Sequence, residues 1–346
     1  MKRSGNKVTI LDTTCCDGMH AVSHRFTPEQ VALISEGLEK TGVNYMEVSH
    51  GYGLGGSSLN FGIGAASDRE WLSAARSKLK NTKLACMFFP GIGTMEDLRA
   101  ARDCGVEMVR IVTHCTEADI AAQHIRLSRE LGMKPFGVLM MAHMSEPAKL
   151  LEQAKLLEGY GAEAVVLMDS AGALMPSEVK SRVSALTEDL RIPVGFHGHA
   201  NLQMQIPNAL AAIESGATYI DATLRGLGAG AGNAQTEVLA AVLMRNGYRT
   251  DLDLRAAEDT AEMLAGFDIF VQPCADKAAI TMGYAGVYGT FAKRARDVAL
   301  RYGVDERDIL FACAERKVVG GQEDIMISIA VELAEKKAQE ERRGCE

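Results

Sequence analysis

Two histidines stand one residue apart in the run Gly195-Phe196-His197-Gly198-His199-Ala200-Asn201. On a strand, alternation sends His197 and His199 to the same face. Two imidazoles and one carboxylate make a donor set that a borderline or hard divalent cation accepts. Asp17, in Asp12-Thr13-Thr14-Cys15-Cys16-Asp17-Gly18-Met19-His20, is the obvious carboxylate. No thiolate accompanies the pair at matching spacing, so Mn2+ or Mg2+ is expected rather than structural zinc. The plainer alternative is a pair of hydrogen-bonded core histidines. The cation reading requires a fold that brings residue 17 beside residue 197.

Eight short apolar runs rich in Val, Ile and Leu supply such a fold, at 8–14, 45–50, 83–89, 108–113, 135–141, 164–169, 193–199 and 219–224. Amphipathic helical patterns lie between and after them, at 28–40, 68–80, 95–104, 117–131, 146–160, 176–190, 206–215 and 235–245. Near-continuous apolar strands alternating with helices imply a parallel sheet buried on both faces. Eight such units match a closed (β/α)8 TIM barrel, the commonest size of which is about 250 residues. The barrel is placed at 5–250, and closure brings its first strand near its seventh. Local punctuation agrees: Thr27-Pro28-Glu29-Gln30 reads as a capping box with Pro in the first turn. Residues 251–346 read as a C-terminal α-helical domain, with patterns at 252–265, 290–302, 305–314 and 322–340 and a charged, solvated end. In a barrel of this kind the site lies at the C-terminal ends of the strands. Six of the eight histidines fall there, the exceptions being His24 and His124.

Composition narrows the class. Of 346 residues, 47% are hydrophobic, enough for a large core, and the net charge of −8 argues against a nucleic-acid partner. No run approaches the length of a membrane span, and the start, MKRSGNKVTILDTT, lacks the apolar core of a secretory signal. The eight cysteines, Cys345 among them, show no Cys-x-x-Cys spacing, as in a reduced cytoplasmic protein. The glycine-rich stretch 226–233 lacks both the Lys-Ser/Thr of a phosphate loop and the acidic partner of a dinucleotide site, so nucleotide binding is not expected there.

These residues resemble the metal-dependent lyases and Claisen-type condensing enzymes on TIM barrels, the group that includes HMG-CoA lyase. Those proteins carry Asp-x-Thr-x-Arg-Asp-Gly on the first strand and His-x-His on the seventh. Within the group the chain is most similar to the 4-hydroxy-2-oxovalerate aldolase family. The matching stretches include Gly56-Ser57-Ser58, Pro90-Gly91-Ile92-Gly93, Thr113-His114-Cys115-Thr116-Glu117, Asp169-Ser170, Gly228-Ala229-Gly230-Ala231-Gly232-Asn233, Gly283-Tyr284-Ala285-Gly286-Val287-Tyr288 and Val319-Gly320-Gly321-Gln322-Glu323-Asp324. The resemblance implies a class II aldolase that cleaves a 4-hydroxy-2-oxo acid to pyruvate and an aldehyde. It implies that Asp17, His197 and His199 hold the ion, that His20 takes the proton of the 4-hydroxyl, that Tyr288 positions that group and that Ser170 helps seat the carboxylate. It further implies an oligomer and an acylating aldehyde dehydrogenase partner, with the C-terminal region covering the site and contributing to the contact.

Two departures from the family pattern stand out. Cys16 occupies the place of the first-strand Arg, whose guanidinium donates to the enolate oxygen, and a thiol is no replacement. Arg225 falls where a small residue is expected, so its guanidinium could reach the vacated space, the alternative being a pairing with Glu47, Glu237 or solvent. Met87 and Phe89 look bulkier than the aliphatic residues expected in the aldehyde pocket, pointing to an altered substrate range. Two other readings stay open: a different C–C lysis or condensation on the same metal site using Cys16 or Cys15, and a weakly active paralogue kept as a binding partner.

Overall fold

A computed structural model describes residues 7–344. The initial residues of the expected barrel, the start of the leader reading and Cys345 lie outside the described residues. Eight parallel strands close into a barrel in chain order: β1 (Thr9–Cys15), β2 (Tyr45–Val48), β3 (Lys83–Phe88), β4 (Met108–His114), β5 (Lys134–Met140), β6 (Ala164–Asp169), β7 (Val194–Gly198) and β8 (Tyr219–Ala222). The strands pair in register from Thr9 against Tyr219 on one side of β1 to Leu11 against Tyr45 on the other. The expected barrel is therefore the observed one. Its helices are α1 (Pro28–Thr41), α2 (Asp68–Arg76), α3 (Met95–Asp103), α4 (Ala122–Glu130), α5 (Pro147–Tyr160), α6 (Pro176–Asp189), α7 (Gln205–Glu214) and α8 (Thr236–Arg245). Thr27 and Gln30 form the reciprocal capping box at the start of α1, with Pro28 in the first turn. The single helix expected over 117–131 is instead a 3-10 turn, Ala118–Ala121, followed by α4.

Inside the barrel, alternation along each strand stacks layers. Tyr45, Phe136 and Tyr219 close the N-terminal end, with the Phe136 and Tyr219 rings 5.0 Å apart. Met87, Met108, Val112, Val138, Val166 and Met168 fill the interior above them. Near its end β1 slips register on β2 between Asp12 and Cys15. Such a bulge re-aims the residues that follow, here Cys16 and Asp17. Asp12 secures the bend, accepting from Thr14 N at 2.9 Å and Thr236 Oγ1 at 2.7 Å. Thr14 Oγ1 in turn accepts from Leu224 N at 2.8 Å, tying the ends of β1 and β8 together.

Beyond the barrel lie α9 (Leu254–Ala265), α10 (Lys277–Ala285), α11 (Phe291–Tyr302), α12 (Glu306–Glu315) and α13 (Ile325–Gly344). Leu252, Ala261 and Leu264 of the α9 region join the barrel's own core, so the division between the two cores falls after α9 rather than at 250. Helices α10–α13 share a second core, into which Met141, Ala200 and Ala231 project from the loops after β5, β7 and β8. The helical layer thus sits on the C-terminal mouth of the barrel. Helix α10 had no counterpart in the sequence reading, and the charged end read as a tail continues as helix to Gly344. Among the described residues no helix is long and apolar enough to cross a membrane.

Candidate active site

Asp17 opens a 3-10 turn, Asp17–His20, just beyond the bulge of β1. His197 lies in β7 and His199 immediately after it, their rings 4.9 Å apart. One ligand atom from each of Asp17, His197 and His199 lies within 4.8 Å of the other two, and all three residues are buried. His197 Nδ1 faces Asp221 Oδ2 at 3.0 Å, so this nitrogen carries the proton and Nε2 keeps its lone pair. His197 Nε2 and His199 Nδ1 are buried without a hydrogen-bond partner. Orphaned buried nitrogens are costly unless something binds them. A divalent cation fits that requirement.

The glycine-rich stretch serves this cluster. Asn233, at its end, donates from Nδ2 to Asp17 Oδ2 and to the Leu227 carbonyl. A Cβ on Gly228 would lie 2.6 Å from Asp17 Oδ2, so only glycine lets the loop close on the carboxylate. Burial alone would push the Asp17 carboxyl up, but the imidazoles of His199, His197 and His20 hold it down at about 2. Burial holds His199 at about 4, which keeps its imidazole neutral at physiological pH.

His20, at the end of the Asp17–His20 turn, directs Nε2 at the Gly51 carbonyl, 3.1 Å away. A carbonyl only accepts, so Nε2 bears the hydrogen and Nδ1 is the basic atom. Burial lowers the pKa of His20 below 6.5, which leaves it neutral and able to take a proton. His24, set aside by the sequence reading, belongs to the same cluster. Its ring stacks on His50 at 3.7 Å and meets His20 edge-on at 5.1 Å. Ser23 and His24 both hold positive φ, 52° and 60°. Two strained residues in succession beside a site are the kind of signal that accompanies function; the sequence clue was only the spacing of His20 and His24 across a tight turn.

Cys16 is fully buried, its Sγ 3.1 Å from Ser49 Oγ and 4.0 Å from Met87 Sδ. Burial, reinforced by Glu47, pushes its thiol well up, the opposite of what a nucleophile needs. The expected compensation by Arg225 is not what the fold provides. Arg225 sits with φ 57° in the turn Leu224–Gly226, which throws its side chain outward onto Glu262, 3.0 Å away, and over the Phe270 ring. Its backbone N–H, not its guanidinium, meets Glu237. The cation beneath the site is one the sequence reading passed over, Arg110 of β4. It is wholly buried, 2.8 Å from Asp221 Oδ2 and 3.5 Å from Glu47 Oε2. Its clue was a lone charge in the apolar run Met108-Val109-Arg110-Ile111-Val112.

Residues 7–264 match the HMGL-like family model, and residues 273–335 match the DmpG-like communication domain. A protein of Carboxydothermus hydrogenoformans named 4-hydroxy-2-oxovalerate aldolase is 53% identical, over 96% of this chain and 99% of that one. Its namesake in Moorella thermoacetica is 50% identical over the same shares. The chain belongs to the 4-hydroxy-2-oxovalerate aldolase family. In fold it also resembles the HMG-CoA lyase of Bacillus subtilis, with a TM-score of 0.62 at 18% identity over 74% of this chain and 92% of that one. The carboxyl transferase domain of Rhizobium etli pyruvate carboxylase gives 0.80 at 16% identity over 97% of this chain and 62% of that one.

The segment of this aldolase-family chain that matches the communication domain holds Tyr288, buried over the barrel mouth, its ring meeting Phe291 edge-on with centroids 5.7 Å apart. A Cβ on Gly320 would come 2.9 Å from that ring, so glycine at 320 lets the backbone ahead of α13 approach it. The next residue but one from Phe291, Gly289, donates its N–H to the Ser170 carbonyl at 3.1 Å, while Ser170 Oγ accepts from Met141 N at 2.9 Å. His143 donates from Nε2 to the Gly286 carbonyl at 2.9 Å, a second tie between barrel and cover. Met87 is buried beside Cys16, and Phe89, half-buried, follows β3 on the rim. His114 stays apart from the ion cluster, bonded to Thr116 at 2.7 Å.

Proposed function

We propose that this chain cleaves a 4-hydroxy-2-oxo acid to pyruvate and an aldehyde, in a reaction that depends on a divalent cation. The observation that carries the reading is the pair of unpartnered imidazole nitrogens beside Asp17, with a neutral His20 on the adjacent turn. Asp17, His197 and His199 would hold Mn2+ or Mg2+. When bound, the ion supplies charge stabilisation to the enolate of pyruvate.

The remaining work falls to the chain itself. His20 Nδ1 takes the proton of the 4-hydroxyl; the C3–C4 bond breaks, its electron pair passing to the enolate, and C4 becomes the aldehyde carbonyl. A positioned base of this kind contributes roughly 10²–10⁴-fold. Tyr288, under the helical cover, positions the hydroxyl group and excludes water. Ser170 helps seat the carboxylate. Met87 and Phe89 line the aldehyde side and set an altered range of acceptors. Cys16 offers no charge to the enolate, so turnover is lower than a guanidinium there would allow.

The partner is an acylating aldehyde dehydrogenase that docks on the α10–α12 face, and the protein works in the cytoplasm as an oligomer. Supporting this, Tyr284 and Phe311 form an exposed aromatic pair 6.2 Å apart on that face, with Ile280 half exposed beside them. The test is pyruvate release from 4-hydroxy-2-oxopentanoate with Mn2+ and after chelation. Metal-dependent release is the expected result; no release with Mn2+ or with Mg2+ in its place would refute the reading.

A further inference from the structure

Behind the ion cluster runs a buried chain of charge. Asp221 Oδ2 accepts from His197 Nδ1 at 3.0 Å and is ion-paired with Arg110, whose Nη1 lies 2.8 Å away. Arg110 reaches on to Glu47, 3.5 Å from its Nε, and the side chains of Arg110, Glu47 and Asp221 are at most 2% exposed. These groups come from β4, β2 and β8, strands otherwise lined with apolar residues. Replacing a buried ionic triad with well-packed apolar side chains is often neutral or stabilising, so stability alone is a poor reason to keep one. The end of this triad on a ring nitrogen suggests another reason.

A histidine that binds a metal through one nitrogen commonly donates its other N–H to a carboxylate, which fixes the tautomer and the ring orientation. Asp221 does this for His197, and the nitrogen left bare, Nε2, is the unpartnered one. An unsupported carboxylate could rotate away; Arg110 clamps the very oxygen that His197 uses. We propose that Asp221 and Arg110 are positioning residues that set the affinity of the Asp17–His197–His199 cluster for its ion, with Arg110 acting through Asp221. This rests on the reading of that cluster as a cation site.

The test is titration of the full chain with Mn2+ at one fixed pH, following free Mn2+ by its EPR signal. Wild type should bind one ion and His197→Gln should lose it; if wild type binds none, the cluster reading itself fails. Asp221→Ala should weaken binding by about 10–100-fold, the usual effect of losing such a support. Asp221→Asn, which keeps an acceptor, should recover part of that loss. Arg110→Met should weaken binding less than Asp221→Ala and should shift the visible spectrum of the Co2+-loaded protein. If the single variants fold poorly, the double variant Arg110→Met/Asp221→Ala removes opposite charges together and should show the full loss with a circular-dichroism spectrum like that of wild type. Wild-type Mn2+ affinity in Asp221→Ala or in the double variant would overturn the proposal.

Discussion

Asn233 donates its amide to the carboxylate of Asp17 across 216 positions of sequence, joining the end of the glycine-rich stretch to the first strand's turn. The stretch that looks like a phosphate loop is therefore a strap for a carboxylate. Gly228 has no positive φ to constrain it, so its reason is space: a Cβ would lie 2.3 Å from Asn233 Nδ2 and 2.6 Å from Asp17 Oδ2. Gly228→Ala should leave the fold intact and weaken Mn2+ affinity roughly 10–100-fold, as loss of a ligand's support does. Asn233→Ala, which removes the donor without adding bulk, should act in the same direction. Calorimetric titration of both variants checks the point.

The pH profile should follow His20. Burial lowers its pKa below 6.5, so the neutral base persists to more acid pH than an exposed histidine would. Below that point protonation removes the base, and kcat/KM at saturating Mn2+ should fall with decreasing pH. His20→Asn should cost roughly 10²–10⁴-fold and abolish this acid limb while Mn2+ binding persists. An acid limb unchanged in the variant would assign the titration to another group.

The packing of α9 on α1 gives a prediction about stability alone. Gly37 of α1 faces Thr260 of α9, and a Cβ at 37 would lie 2.3 Å from Thr260 Cγ2. Thr260 cannot swing aside freely, because its Oγ1 donates to the Ala256 carbonyl at 2.6 Å. Gly37→Ala should destabilise by about 1–3 kcal/mol, the usual range for overpacking. Adding Thr260→Ala should restore most of it, since residues in contact are coupled. Chemical denaturation of the single and double variants measures this, and kcat should not change.

The strands were legible because a sheet buried on both faces demands unbroken Val, Ile and Leu, and the first helix because Thr27 and Gln30 cap it in a recognisable spacing. His197 and His199 were legible because alternation is local. Arg110 was not: its partners Glu47 and Asp221 come from strands that only barrel closure brings near, so nothing in its neighbourhood marks it as more than a stray charge. Helix α10 escaped notice because Lys277–Ala285 is mostly small residues with little contrast between faces, and its apolar side is defined only by the helices around it. For Arg225, adjacency of β8 to β1 gave the correct neighbourhood but not the direction, which a left-handed backbone turn decides. Arg225→Ala should therefore leave kcat close to that of wild type, removing a pair with Glu262, itself 76% exposed, and the contact with the Phe270 ring.

The surroundings of Cys16 fix what substitutions there should do. The thiol touches Ser49 Oγ and lies against Met87 Sδ, with no exposed surface and with Glu47 beside it holding its pKa up. A thiol so placed neither attacks a carbonyl nor meets an alkylating reagent readily, so iodoacetamide should leave turnover intact and Cys16→Ser should change kcat little. An arginine at this position would have an acceptor waiting in Glu47, which burial leaves poorly satisfied, with neither carboxylate oxygen in a hydrogen bond. Its guanidinium could then donate to charge developing at the ion cluster, and a donor of that type is typically worth about 10²–10³ in rate. Cys16→Arg should raise kcat for 4-hydroxy-2-oxo acids toward that factor, less whatever the displacement of Met87 costs in KM. Steady-state pyruvate release with Mn2+, compared across wild type, Cys16→Ser and Cys16→Arg, decides it. A fall in kcat in both variants would mean that the thiol takes part in this protein's chemistry, against its burial.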